Sequence, residues 1–220
     1  VLNEAARIGA ALDALAPLRQ RGHEVIVVDG GSRDGSIDLA CARADKVLRS
    51  PQGRAVQMNA GADAASGDVL LFLHADTLLP AGADEAIAQG LASTGRVWGR
   101  FDVRIDGRSA WLPVVAGLMN LRSRATGIAT GDQAMFVRRA AFECAGGFAQ
   151  LEIMEDIALS ARLKRLSRPA CLRDTAITSG RCWDERGALR TIGLMWWLRL
   201  RFFFGDAPSR LARTYGGGRG

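Results

Sequence analysis

Two short, uninterrupted apolar runs, each closed by an acid-bearing turn at its carboxyl end, constrain this chain more than any other feature. The first is Glu24-Val-Ile-Val-Val-Asp29. The second is Asp68-Val-Leu-Leu-Phe-Leu73, which leads into His74-Ala75-Asp76. Runs this short, without polar alternation, read as strands buried on both faces of a sheet. Around them apolar residues fall at helical spacing: Asn3 to Leu18 (Ile8, Leu12, Leu15) with Gly22 as a stop, Ser36 to Ala44, Gly53 to Ala65, and Pro80 to Ala92. Val47 to Arg49 is a weaker strand. This alternation predicts βα units in an α/β fold with a doubly wound, mostly parallel sheet, Rossmann-like in its first half.

Past residue 95 the order loosens. Arg96 to Asp106 reads as extended, Trp111 to Thr126 as helical, Ala134 to Val137 as a short strand, and Glu155 to Ser167 as a helix closed by Pro169. Ala188 to Phe204 is a last helix rich in Trp and Phe, and residues 216–220 read as a disordered tail. A length of 220 residues suits one such domain, and 48% hydrophobic with 24% charged residues is ordinary globular usage. The net charge of +6 favours anionic partners without choosing among them.

Cys41, Cys144, Cys171 and Cys182 lie far apart without metal-site spacing or a disulfide framework, so a reducing, cytoplasmic setting is expected. No leader is recognisable, and no apolar run reaches the roughly 20 residues that span a bilayer.

Ligands of open α/β sheets gather at the carboxyl ends of the strands. Asp29, Gly30 and Asp34 stand at the first of these ends, in Asp29-Gly-Gly-Ser-Arg-Asp-Gly35, where an acid can hold a base edge or a ribose. Capping of the next helix explains the same acids equally well. His74 and Asp76, two apart at the second strand end, suit a divalent cation bridging a diphosphate. Arg54, after Gly53 at a helix start, offers a phosphate-matching fork, and Asn59 and Gly61 fall on later turns. Glu155 and Asp156 open a helix, where helix-dipole stabilisation alone explains acids.

These segments occur in linked order. Asn3-Glu4, Val28-Asp-Gly-Gly-Ser-Arg-Asp-Gly35, Gly53 to Gly61 and Leu73-His-Ala-Asp-Thr77 are followed by Gly146-Gly-Phe148, Met154-Glu-Asp156 and Leu159-Ser-Ala-Arg-Leu163. The set resembles the family 2 glycosyltransferases of the GT-A fold over about residues 1 to 168, closest to a short bacterial subgroup with a His-Ala-Asp metal motif. The resemblance implies one GT-A domain over 1–215. Within it, 1–95 would form the nucleotide-sugar half, 96–186 the acceptor half and 187–205 an amphipathic aromatic helix.

It further implies a nucleoside-diphosphate sugar donor held by Asn3, Glu4, Asp29, Gly30, Asp34, Arg54, Asn59 and Ala75. Asp132 would touch the donor sugar or the acceptor. Arg181 and Trp183 would lie near the diphosphate. Asp76 with His74 would hold Mn²⁺ or Mg²⁺. Asp156 would act as general base, supported by Glu155, in an inverting transfer to an acceptor hydroxyl, lipid-linked or on a small molecule.

Family members carry a hydrophobic strand before Asn-Glu, where this chain has only Val1-Leu2, so a truncated first strand is expected. The final helix, with Arg190, Arg199 and Arg201 among its aromatics, suits peripheral contact with the inner face of a membrane, a core position, or a homodimer surface. Two other readings compete with sugar transfer: a nucleotidyltransferase of related fold, and a non-catalytic nucleotide-sugar or membrane-binding module. Dispersed arginines without a recognition motif argue against nucleic acid.

Overall fold

The strand Ile26–Asp29 (β1) follows the helix Ala5–Gln20 (α1), and the helix Ser36–Cys41 (α2) leads on to Lys46–Arg49 (β2). The pair β1 and β2 is parallel, in register from Ile26 opposite Lys46 to Asp29 opposite Arg49. This is the computed structural model of the chain, and it describes residues 1–216. Ile8 and Leu12 of α1 bury against Val27 and Ala40, so the helical spacing in the sequence becomes the face that covers β1. On its other edge β1 meets the chain start: the Val1 nitrogen donates to Val28 O at 2.6 Å and Gly30 N–H donates to Val1 O at 2.9 Å.

Arg54–Ala64 (α3) then leads to Val69–Leu71 (β3), Thr77–Leu78 (β4), Ala83–Thr94 (α4), Trp98–Asp106 (β5) and Leu112–Thr126 (α5). A 3-10 turn at Gly131–Gln133 precedes Phe136–Arg138 (β6) and Arg139–Cys144 (α6). After these come Glu155–Leu166 (α7), Ala170–Ser179 (β7), Arg181–Arg186 (α8), Ala188–Phe203 (α9) and Pro208–Gly216 (α10). A five-stranded sheet has the order β3-β6-β5-β7-β4. Its β5–β7 ladder is parallel and its other ladders are antiparallel. Gly216 closes α10, and residues 217–220 of the expected tail lie outside the described residues.

Two local outcomes bear on the site. The strand expected to reach Leu73 leaves its ladder at Leu71, and the chain turns with Thr77 N–H donating to His74 O at 3.1 Å. The His-Ala-Asp segment thereby links β3 at one edge of the five-stranded sheet to β4 at the other. Second, Asn59 clamps Phe148 from both sides: its Nδ2 donates to Phe148 O and its Oδ1 accepts from Phe148 N–H, each at 2.9 Å. Arg162 donates from both terminal nitrogens to Ala145 O and Gly147 O at 2.6 Å. Phe148 packs edge-on to Phe72 at 4.8 Å. The Gly146–Phe148 loop, and with it the start of α7, is therefore held from behind by α3 and by α7 itself.

A buried polar network fixes α5. Arg100 is fully buried; its Nε donates to Ser123 Oγ at 3.1 Å and its Nη2 to Asn120 O at 3.1 Å. It also pairs with Asp102, which receives Arg124 on its other oxygen. Asn120 Oδ1 accepts from Val103 N–H at 2.9 Å and from Gln133 Nε2 at 3.3 Å, tying α5 to β5 and to the 131–133 turn. Among the described residues no helix is long and apolar enough to cross a membrane.

Candidate active site

The first strand end is stitched by its own side chains. Asp29 is buried; its Oδ2 accepts from the Gly31 and Ser32 amides at 2.8 and 2.9 Å, while Oδ1 is buried and meets no donor. Burial works against its charge, yet the Ser32 hydroxyl and the Ser32 and Gly31 amides outweigh it and hold the pKa below the usual carboxylate range. An empty buried carboxylate oxygen at a strand end is a ready acceptor for a ligand N–H or O–H. Gly30 is pressed against Gln57, whose Oε1 would lie 3.0 Å from an added Cβ.

Asn3 and Glu4 dock on the same loop. Asn3 N–H donates to Ser32 Oγ at 2.8 Å, its Oδ1 accepts from Arg33 N–H at 2.9 Å, and Glu4 N–H donates to Ser36 Oγ at 2.8 Å. Asp34 is engaged by Ala5 N–H at 3.0 Å and by the Ser36 hydroxyl at 2.5 Å, which gives it a stapling role.

The second strand end meets the Gly131–Asp132 turn and the start of α7 across a tight contact. Arg54 opens α3 and reaches both ways: its Nη2 lies 2.8 Å from His74 Nε2, and its Nε lies 3.3 Å from Glu155 Oε1. Gly131 fits against the imidazole so closely that a Cβ there would fall 2.4 Å from His74 Nε2. Its amide donates to Asp156 Oδ2 at 2.8 Å, and Ile157 N–H donates to Oδ1 at 2.7 Å. Asp132 Oδ1 stands 3.8 Å from His74 Nδ1. Arg54, His74, Asp132, Glu155 and Asp156, drawn from four segments far apart in sequence, thus converge on one place.

Glu155 is 1% exposed and its Oε2 has no donor. Burial pushes its carboxyl above the usual range, opposed by Arg54 and reinforced by Asp156. His74 is held down to about 4, by burial first and by the Arg54 charge next, against the pull of Asp76 and Asp156. The imidazole is therefore neutral at pH 7 and accepts from the Arg54 guanidinium.

A base whose pKa falls on folding takes up its proton more readily when unfolded. Stability is then whole above pH 6.5 and declines as pH drops toward 4, by about 3 kcal/mol at most. Thermal melts between pH 7 and 4.5 should show this fall, and His74→Gln should flatten it. An unchanged slope in that variant would remove His74 as its source.

Four other residues expected at the donor have these surroundings. Ala75 packs with the cluster around Ile8 and Val27. Trp183 packs against Val103, Ile105 and Leu112 under α5, and Arg181 is exposed at the start of α8. Asn59 spends its amide on Phe148, as above. Trp183 and Asn59 are thus engaged with other parts of the protein.

Two arginines without a motif of their own face the acids instead. Arg122 of α5 and Arg199 of α9 both lie within the field of Asp156. The alternation of α9 is the reverse of a simple basic face: Arg199 turns inward, while Trp196, Trp197, Leu200 and Phe203 are exposed.

Backbone strain borders both strand-end segments. Asn3, Ala134 and Met154 are the non-glycine residues at positive φ (52°, 45° and 66°) among those described. Each borders a segment of the site.

Among the described residues no group of three His, Cys, Asp or Glu side chains is placed to hold a metal alone. A hard cation shared with a diphosphate needs only one or two carboxylates, because phosphate oxygens and water complete its shell. Asp76 fits that requirement. His74 fits it only if Arg54 releases Nε2.

The fold is that of the GT-A glycosyltransferases. Over 95% of its length the chain is similar to the mannosyltransferase PcManGT of Pyrobaculum calidifontis, solved with GDP-Man and Mn²⁺, with a TM-score of 0.64, 21% identity and 64% of that chain covered. It is also similar to S. aureus TarS 1-349 in complex with UDP-GlcNAc, with a TM-score of 0.66, 18% identity, and 81% and 56% of the two chains covered.

The family profile described as "Glycosyl transferase family 2" matches residues 1–146, and the chain belongs to that family. A curated relative, the PGL/p-HBAD biosynthesis glycosyltransferase of Mycobacterium bovis, is 39% identical over 85 residues. That match takes in 36% of this chain and 33% of the relative, so the chain spans about a third of the curated protein it matches.

Proposed function

We propose that the chain transfers a sugar from a nucleoside-diphosphate sugar to an acceptor hydroxyl, with inversion at the anomeric carbon. The observation that carries this reading is the convergence of Asp156 and Glu155 with Arg54 and His74, which joins the two acid-bearing halves at one point. The buried, unfilled Asp29 oxygen suits the nucleotide end of the donor. Donors named in the neighbours, GDP-Man and UDP-GlcNAc, belong to this class.

In the transfer, Asp156 accepts the proton of the acceptor hydroxyl as its oxygen attacks the anomeric carbon. The bond from that carbon to the diphosphate oxygen breaks, and the nucleoside diphosphate leaves. Glu155, held by Arg54, keeps a second carboxyl beside the base. Asp76, with His74 once Arg54 withdraws, would hold Mn²⁺ or Mg²⁺, whose charge would offset that developing on the leaving diphosphate.

Thermal shift against a panel of sugar nucleotides, with and without Mn²⁺, tests the donor. Asp76→Ala should weaken Mn²⁺-dependent nucleoside-diphosphate binding about 10-fold or more by calorimetric titration. An unaffected titration would take the metal away from Asp76.

The reading includes a lipid surface as partner. Trp196, Trp197, Leu200, Phe203 and Phe204 of the C-terminal segment are exposed, as are Trp111, Val114, Leu118 and Leu121 along α5. Arg201 stacks over Trp197 at 5.2 Å, and the net charge of +6 complements an anionic leaflet. Co-sedimentation should be strong with phosphatidylglycerol vesicles and weak with phosphatidylcholine. The double variant Trp196→Ser, Phe203→Ser should cut partitioning about 10-fold or more. Self-association without vesicle binding would replace the lipid by a second copy.

A further inference from the structure

We propose that Arg122 and Arg199 form an oxyanion subsite beside Asp156, filled by a phosphate or carboxylate group during sugar transfer. The inference rests on the transfer reading for its place in a reaction, but its physical basis is independent. Nε and Nη2 of Arg122 make up one edge of the guanidinium, the side-on fork that matches two oxygens of a carboxylate or phosphate. Both nitrogens are buried and meet no acceptor, and the same holds for Nε of Arg199. Buried donors left empty are costly, and a whole unfilled edge is more telling than a single atom.

The fork is also held in place. Asn120 and Ser123, on either side of Arg122 in α5, are bonded to β5, to the 131–133 turn and to Arg100, so α5 cannot easily roll to satisfy it. Burial first, and the opposing charge of Arg199 next, bring Arg122 down to about 10. Asp156 attracts both, and Asp132 attracts Arg199. Yet Asp156 already accepts from two backbone amides. A bridging anion would fill the empty edge and separate like charges at once.

Two sources carry this chemistry: the diphosphate of the donor, or an acidic group on the acceptor near the hydroxyl that Asp156 serves.

Inorganic phosphate is the probe, read by thermal shift and calorimetry on the full chain. Phosphate should stabilise the wild type and the control Arg108→Gln, whose side chain is 92% exposed. Arg122→Gln and Arg199→Gln should each weaken phosphate about 10-fold, and Arg122→Lys should recover only part of the affinity, lacking the fork. Saturating UDP or GDP separates the sources. Phosphate that still binds assigns the subsite to the acceptor. Phosphate displaced by UDP or GDP but not by uridine or guanosine assigns it to the donor diphosphate.

Phosphate affinity equal in wild type, Arg122→Gln and Arg199→Gln would overturn the proposal, as would a wild type that phosphate does not stabilise. If Arg122→Gln melts before ligand is added, Arg199→Gln and Arg122→Lys decide the matter by the same readout. A wild type that binds phosphate but neither UDP nor GDP would break the donor reading and leave the subsite standing.

Discussion

Asp156→Asn is expected to lower turnover by about 10³-fold while nucleoside-diphosphate binding stays within about twofold, as for loss of a positioned general base. Asparagine retains one oxygen, enough for the Gly131 amide that now donates to Asp156 Oδ2 at 2.8 Å, while the Ile157 amide in the first turn of α7 loses its acceptor. What asparagine lacks is the capacity to take up a proton. Glu155 is a poor substitute, since it is buried at 1% exposure and already faces Arg54. Steady-state rates with the best donor of the panel, beside calorimetry with the matching nucleoside diphosphate, check both halves. Turnover within a few-fold of wild type would remove Asp156 from the chemistry.

The second large effect is on stability. Gly99 sits in β5 between β6 and β7, and a Cβ there would fall 2.3 Å from Ala170 O and 2.4 Å from the Phe136 ring. One neighbour is backbone in a parallel ladder and the other is a fully buried ring, so neither yields easily. Gly99→Ala should cost about 3 kcal/mol, the upper part of the range for overpacking. For a chain of this length that lowers the melting temperature by roughly 6–12 °C. A melting temperature within a degree of wild type would mean that the β6–β5–β7 centre is looser than its contacts indicate.

The contrast between β1 and β7 explains how far the fold was legible. β1 is a continuous apolar run, and its burial on both faces writes itself into composition. The strand β7 is longer yet carries Arg173-Asp174 at its middle, where the ladder skips from Cys171 opposite Arg100 to Thr175 opposite Asp102. A bulge absorbs the polar pair, and a period-based reading has no means of expecting one there. The two-residue β4 left no pattern at all.

The site divides along similar lines. Asp29, Asp76, Glu155 and Asp156 stand at element ends, where position in the sequence already suggests exposure to a ligand. Asn59 and Asp34 also carry polar oxygens, but only the fold reveals that their hydrogen bonds are spent on Phe148, Ala5 and Ser36. Arg122 and Arg199 belong to helices that meet only in three dimensions, and no motif marks either of them.

The left-handed turns at Asn3, Ala134 and Met154 have one more consequence. Each costs of order 1 kcal/mol or more for a residue with a side chain, so none of these loops would hold its shape in isolation. Their geometry is imposed by neighbours: Ser32 and Arg33 on Asn3, β6 behind Ala134, and the clamped Gly146–Phe148 loop before Met154. The acids are therefore aimed by the frame and not by their own segments. Substitutions at Asn59 or Arg162, which hold that loop from behind, are expected to reach the acids by altering that aim.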